Sequence, residues 1–298
     1  MYFLKRNTNN LYFTLFYIFF IISHHSSFGE YFNNINNNIN NVDYSVDSSS
    51  NNVNSNSNNN NNIYTIFVDS KSNSTNLHCG RSNEQACSNL YFAFERFYAD
   101  HPNPENLFLD IRLEAGKYTA IGNLWLQLYG LNVSIGGASD QATSDNVIFD
   151  LANQGHFLSV RESAEHKLQS TYVRLYNLTI VNAKQARGSV LYIDTKSKST
   201  TTEIYIDNCS FNSNQAMSEG GVIYAINTSV LSITSSSFNG NLAKKTGSAL
   251  YVENIDTFVV ERTEFNQNSM PAIYCKNSII DMKDLVVPDK ENWIQFAE

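Results

Sequence analysis

The sequence predicts an all-β chain folded as a single-stranded right-handed parallel β-helix, a solenoid, with a short N-terminal capping helix. Three observations carry this. Phe211, Phe238 and Phe265 are each 27 residues apart, and so are Asn214, Asn241 and Asn268. Around them "IYIDNCSF", "LSITSSSF" and "FVVERTEF" align without gaps, with Ile206, Ile233 and Val260 in step. From about residue 107 onward the chain is short apolar segments separated by Asn, Gly, Ser and Asp, with no second helical period. A fixed period holding several strands and no helix marks a solenoid whose units stack. Parallel rungs then set equivalent residues above one another at strand spacing, Phe on Phe and Asn on Asn.

Taken in order, residues 1–29 read as a secretory signal peptide. Lys5 and Arg6 form a basic start, Leu11 to Ile22 is a 12-residue apolar run, and Ser27-Phe28-Gly29 offers small residues for cleavage. That run is short of the ~20 residues a spanning helix needs, so an uncleaved anchor is the weaker reading. Cleavage removes two positive charges and moves the net charge from −8 to about −10. No Lys/Arg cluster remains to follow phosphates, which argues against nucleic acid as a partner.

Residues 30–62 are Asn-rich and low in complexity, too polar to offset chain entropy by burial. A disordered spacer is expected there, in preference to an aggregation-prone segment. The β-helix domain is expected over 63–287. It opens on "IYTIFVDS", followed by a loop closed by Cys79 and Cys87, and a helix near 88–99. Ser88 is the candidate cap, and Leu90, Phe94 and Phe97 fall at i, i+4 and i+7. Behind a signal peptide the close cysteine pair reads as a disulfide, whereas Cys209 and Cys275 read as buried thiols whose pairing is left open. Residues 288–298 form a C-terminal cap or tail, with Trp293 and Phe296 expected over the last coil. Gly188, Gly220, Gly221 and Gly247 precede strands, where a tight bend or positive φ suits glycine. N-glycosylation candidates are Asn73, Asn132, Asn177, Asn208 and Asn227.

The phrases Gly220-Gly221-Val222-Ile223-Tyr224 and Gly247-Ser248-Ala249-Leu250-Tyr251, with Phe211/Asn214, Phe238/Asn241 and Phe265/Asn268, resemble a known pattern. It belongs to extracellular pectin-lyase-like β-helix proteins with repeats of the polymorphic outer-membrane-protein type. "LEAGKYTA" and "VSIGGA" before "NVIFD" are similar to that family's opening, and the resemblance covers about 63–287. It implies the fold and says little of function, because one fold hosts many activities.

Enzymes on this fold cleave acidic polysaccharides, and the resemblance implies where to look for their motifs. The Asn-Thr-Asp, Asp-Asp, Gly-His-Gly and Arg-Ile-Lys signatures are absent, as are the paired Asp and Arg of pectin esterases and the Asp-His of pectate lyases. Gly155-His156 is the nearest approach, and a lone His there reads as structural. Asp150, Asp194, Asp207 and Asp256 fall near rung ends; glycoside hydrolysis would need two carboxyls ~5–9.5 Å apart. His78 beside Cys79 is too little for a metal site. No catalytic, cofactor or metal residue is therefore assigned, and no cofactor is expected. The reading is a secreted, glycosylated, non-catalytic protein that binds or scaffolds extracellular polysaccharide, cell-surface glycan or matrix, with no membrane contact after cleavage. Tyr, Asn, Ser and Thr on long strand faces suit sugar rings. The alternatives are a polysaccharide lyase or glycoside hydrolase with a diverged site, and an adhesion or self-assembly protein acting through rung ends.

Overall fold

The structure, a computed structural model, describes residues 62–297 except 75–77, 103, 105–106, 140, 162–169, 196–200, 270 and 288–292. The signal peptide and all but the last residue of the Asn-rich spacer lie outside the described residues. Within them the chain is mostly β. It runs from one sheet to the next and returns, so that each strand pairs in parallel with its counterpart one turn away. This is a parallel β-solenoid.

Three long sheets result. The eight-stranded sheet runs from Ile63–Val68 through Phe108–Leu113 and four further turns to Thr257–Glu261 and Ile280–Lys283. The six-stranded sheet runs from Gly116–Thr119 to Glu264–Asn266, and the seven-stranded sheet from Leu126–Leu128 to Ile294–Ala297. A small three-stranded sheet bridges the last two.

Alternation along each strand decides what lies inside. Ile204 and Ile206, Leu231 and Ile233, and Phe258 and Val260 all point inward and are at most 1% exposed. Tyr118, Phe149, Ile180, Phe211, Phe238 and Phe265 form one continuous interior column through the six-stranded sheet. Phe211–Phe238 and Phe238–Phe265 centroids are both 5.0 Å apart. Each such ring contributes about 1.5–3 kcal/mol by burial.

Beside this column runs a ladder of buried amides. Asn214 N donates to Asn241 Oδ1 at 2.9 Å, and Asn241 N to Asn268 Oδ1 at 2.9 Å. In turn Asn241 Nδ2 donates to Phe211 O and Asn268 Nδ2 to Phe238 O, each at 2.9 Å. The side chains thus satisfy backbone groups where the strand pairing is interrupted, which buried polar groups require.

The coil turns through left-handed residues. One corner is a column of Asn177, Asn208, Ser235, Arg262 and Asp284, all with φ between 45° and 53°. Another is Asn227, Asn254 and Asn277, and a third Gly188, Gly220 and Gly247. Asn and Gly enter this conformation at least cost. Gly221 is needed for a different reason: a Cβ there would lie 1.8 Å from Ser248 O in the next turn.

Near the N-terminus, Cys79 and Cys87 form a disulfide, and the helix spans Leu90–Asp100. Its cap is Asn89, not Ser88: Asn89 Oδ1 accepts from Phe92 N at 3.1 Å, the geometry the N-cap position requires. Leu90, Ala93, Phe94 and Phe97 are buried in the common core. At the other end residues 294–297 are a strand. They pair in parallel with Ile273–Lys276 as one more strand. Trp293 packs 6.0 Å from Phe265, and Phe296 is exposed.

Candidate functional site

The outer face of the seven-stranded sheet carries a regular column of tyrosines. In-register pairing places Tyr192, Tyr224, Tyr251 and Tyr274 in one column. Their centroids are 5.4, 4.9 and 5.0 Å apart and their planes within 11° of parallel. Parallel strands repeat at about this spacing, so a Tyr at the same place in each turn stacks without adjustment. The rings cover one another's faces. What the column offers outward is ring edges and phenol oxygens, not the open aromatic faces on which a sugar would lie.

Two residues on, the same face carries Arg161, Asp194, Ile226, Glu253 and Lys276 in register. Tyr192 donates to Asp194 at 3.2 Å and Tyr251 to Glu253 at 3.0 Å, and Lys276 pairs with Glu253 at 3.0 Å. Arg187 lies 5.3 Å over the Tyr224 ring and joins Glu219, which also takes Lys245. Burial, reinforced by Asp194, pushes the Tyr192 phenol up to about 12. Burial and Glu253 push Tyr251 up as well. These phenols stay protonated at neutral pH and serve as hydrogen-bond donors and acceptors, not as bases.

A second feature is a polar cleft of about 420 Å³ along the Asn208–Ser235–Arg262 corner, with Ser236, Ser237 and Glu264 in its wall. Ser210 and Ser237 hydroxyls bond across the turn at 2.8 Å. Cys209 borders it, but burial pushes that thiol up to about 12, which removes thiolate reactivity. Both Cys209 and Cys275 are free and buried.

The four acidic residues singled out in the sequence fall on different parts of the coil. Asp150 ends a strand of the six-stranded sheet and takes Asn182 at 3.0 Å and Lys117 at 3.2 Å. Asp194 lies on the seven-stranded sheet, and Asp207 ends a strand of the eight-stranded sheet, accepting from Thr234 at 2.7 Å. Asp256 precedes the strand Thr257–Glu261. His156 is 7% exposed, takes Gln185 at 3.2 Å on Nδ1 and packs edge-on to Trp125 at 4.5 Å. Among the described residues no three His, Cys, Asp or Glu side chains gather as a metal site.

Of the sequon asparagines, Asn73 and Asn208 are exposed and Asn177 and Asn227 half-buried. Asn132 is 4% exposed and accepts from Tyr172 N at 3.1 Å, a place that leaves no room for a glycan in the folded sheet. The repeated phrases in the sequence hold Tyr224 and Tyr251 but not Tyr274, because the last turn is shorter and breaks the 27-residue period. The local phrase "AIYCKN", like "ALYVEN", held the signal.

Residues 208–226, from the Asn208 corner through buried Phe211 and Asn214 to the strand bearing Tyr224, match the family model of the Chlamydia polymorphic membrane protein repeat. No curated protein and no solved structure matches the chain.

Proposed function

We propose that the protein is a secreted, glycosylated, right-handed parallel β-helix of the pectin-lyase-like kind, its first coil capped by the Leu90–Asp100 helix, that binds extracellular carbohydrate or matrix without catalysis. The observation that carries this reading is the tyrosine column, a row of phenol oxygens about one strand spacing apart and flanked by Asp194 and Glu253. Such a row suits a ligand that itself repeats, presenting a hydroxyl at each step along an extended chain. The binding is therefore polar and edge-on, and it differs from aromatic stacking under a single sugar. Asp150, Asp194 and Asp207 fall on three different sheets, and Asp256 stands before a strand of Asp207's sheet whereas Asp207 ends one. This supports a binding role over hydrolysis, which needs two converging carboxyls. The match of residues 208–226 to a membrane-protein repeat agrees with an exposed location.

The test is retention of the secreted protein on a panel of neutral and acidic polysaccharides, with new reducing ends and unsaturated products assayed in parallel. Tyr251→Phe with Tyr274→Phe keeps the stack and removes two hydroxyls. The expected result is retention by the wild type, roughly ten-fold weaker in the double variant at about 0.7 kcal/mol for each hydroxyl removed, and no product. Product release would establish an enzyme instead, and absence of retention on every polymer would end the carbohydrate reading.

A further inference from the structure

Trp125 stands where a bulky side chain is least expected. Its backbone is left-handed, with φ 62°, and it is the one aromatic residue so placed among the described residues, most others being Asn or Gly. For a large residue this conformation is strained, and strain of this kind gathers at functional sites. The indole lies against Gly155, where a Cβ would come within 2.6 Å of its ring carbons, and edge-on to His156. His156 carries a second local cost. Gln185 Oε1 accepts from Ala186 N, so Gln185 Nε2 donates to His156 Nδ1. The buried imidazole Nε2 then has no partner among the described residues, and such a group calls for an explanation. Despite these contacts Trp125 stays 40% exposed. The turn that leads to it is firmly held, with Tyr91 N donating to Gly122 O at 2.8 Å and Leu90 N to Asn123 Oδ1 at 2.9 Å, both from the start of the helix.

We propose that Trp125 is a stacking subsite for a neutral pyranose at the N-terminal end of the tyrosine column. The inference rests on the carbohydrate reading and adds to it the aromatic surface that the column lacks. The tyrosines cover one another's faces, whereas the Trp125 indole, backed by Gly155 and His156, keeps surface for a ligand, and the C–H face of a sugar ring packs on such a surface. Trp125 directly precedes Leu126–Leu128, the strand at that end of the seven-stranded sheet, and Gln127 stands in register with Ser159 and Tyr192. Two strand spacings, about 10 Å, separate Gln127 from Tyr192. An extended chain lying along the phenols therefore reaches Trp125 with its next sugars. Asn153 and Gln154, just before Gly155, are exposed and offer amides to hydroxyls. The net charge of −8 disfavours an acidic polymer. Because the turn is already held by the helix, little ordering opposes binding.

Fluorescence reads this place directly, because the sequence holds two tryptophans, Trp125 and Trp293. The experiment titrates the full secreted chain with cellohexaose, xylohexaose and mannohexaose, by emission and by calorimetry, with circular dichroism as the control for folding. At least one sugar is expected to change the emission saturably in the wild type and equally in Trp293→Phe. Trp125→Asn, which suits the left-handed backbone, should lose that change and bind roughly ten-fold more weakly by calorimetry. If Trp125→Asn fails to fold, the Trp293→Phe titration still decides. Calorimetric binding that leaves the emission of Trp293→Phe unchanged, or that a folded Trp125→Asn leaves undiminished, overturns the subsite while the tyrosine reading stands. Binding of none of the three sugars also overturns it, and retention on the polysaccharide panel then tells whether the carbohydrate reading survives.

Discussion

At the N-terminal end the inward residues of the first strand, Ile66 and Val68, are 1% and 0% exposed and share a core cluster with Leu90, Phe94 and Phe97 of the helix and with the disulfide cysteines. At the C-terminal end Phe296 holds an inward position and remains 59% exposed. The same strand chemistry gives opposite burial, which teaches that a side chain in a solenoid is buried by the neighbouring turn and not by its own. Whatever replaces that neighbour at an end determines how firmly the terminal turn is held.

The largest way to break this contrast is to empty the covered end. Phe97 is 0% exposed and packs against the ring of Tyr64 at 5.8 Å. Phe97→Ala should cost about 3–5 kcal/mol of stability, and should leave the first turn as open as the last. Calorimetry checks the loss, and faster proteolysis around the first strand checks its location. An unchanged melting temperature would show that the helix does not support the coil.

A finer comparison uses the amide ladder, which runs from well-covered turns toward the open end. Asn241→Ala removes the partners of Asn214 N and Phe211 O, and of its own contact with Asn268, in a site 1% exposed. At about 1 kcal/mol or more for each buried group left unsatisfied, the loss should be about 3 kcal/mol. Asn268 makes equivalent bonds at 8% exposure beside the final turn. Asn268→Ala should cost roughly 1–2 kcal/mol, because water reaches the vacated groups more readily. Equal losses in denaturant titrations would mean that the last turn is as well protected as the interior.

Much of the coil was legible because its register is written by residue type. Phe211, Phe238 and Phe265 with Asn214, Asn241 and Asn268 repeat at one interval, and stacking makes like residues neighbours. Legibility fails where the period changes. Tyr274 continues its column through a shortened turn, and the Phe column passes to an aliphatic residue, Val287, next to Val286 that bridges Glu264. The corners fail for another reason: Ser235 and Arg262 adopt the left-handed conformation that Asn208 favours, because the turn is imposed by the strands around it and not by local preference. The candidate site was half visible. Residue types named a row of tyrosines, but only the ring spacing shows that their faces are used on one another.

The early turns also differ from the late ones in what acid does to them. His156 lies against Trp125, and burial, with Arg161 nearby, depresses its pKa from 6.5 to about 4. The folded protein thus keeps this imidazole neutral, whereas the unfolded chain takes up a proton as pH falls below about 6.5. More protons bound in the unfolded state means that stability falls with pH, from about 6.5 down to about 4, and then levels off. The loss reaches about 2 kcal/mol by pH 5. Denaturant midpoints at pH 7.5 and 5 should separate by this amount in the wild type, and His156→Gln should remove most of the separation. Hydrogen exchange at pH 5 should then show the turns around residue 156 opening before those that carry the Phe and Asn columns. Opening that began at the Phe296 end would show that the uncovered end, and not the histidine, is the weaker point of the coil.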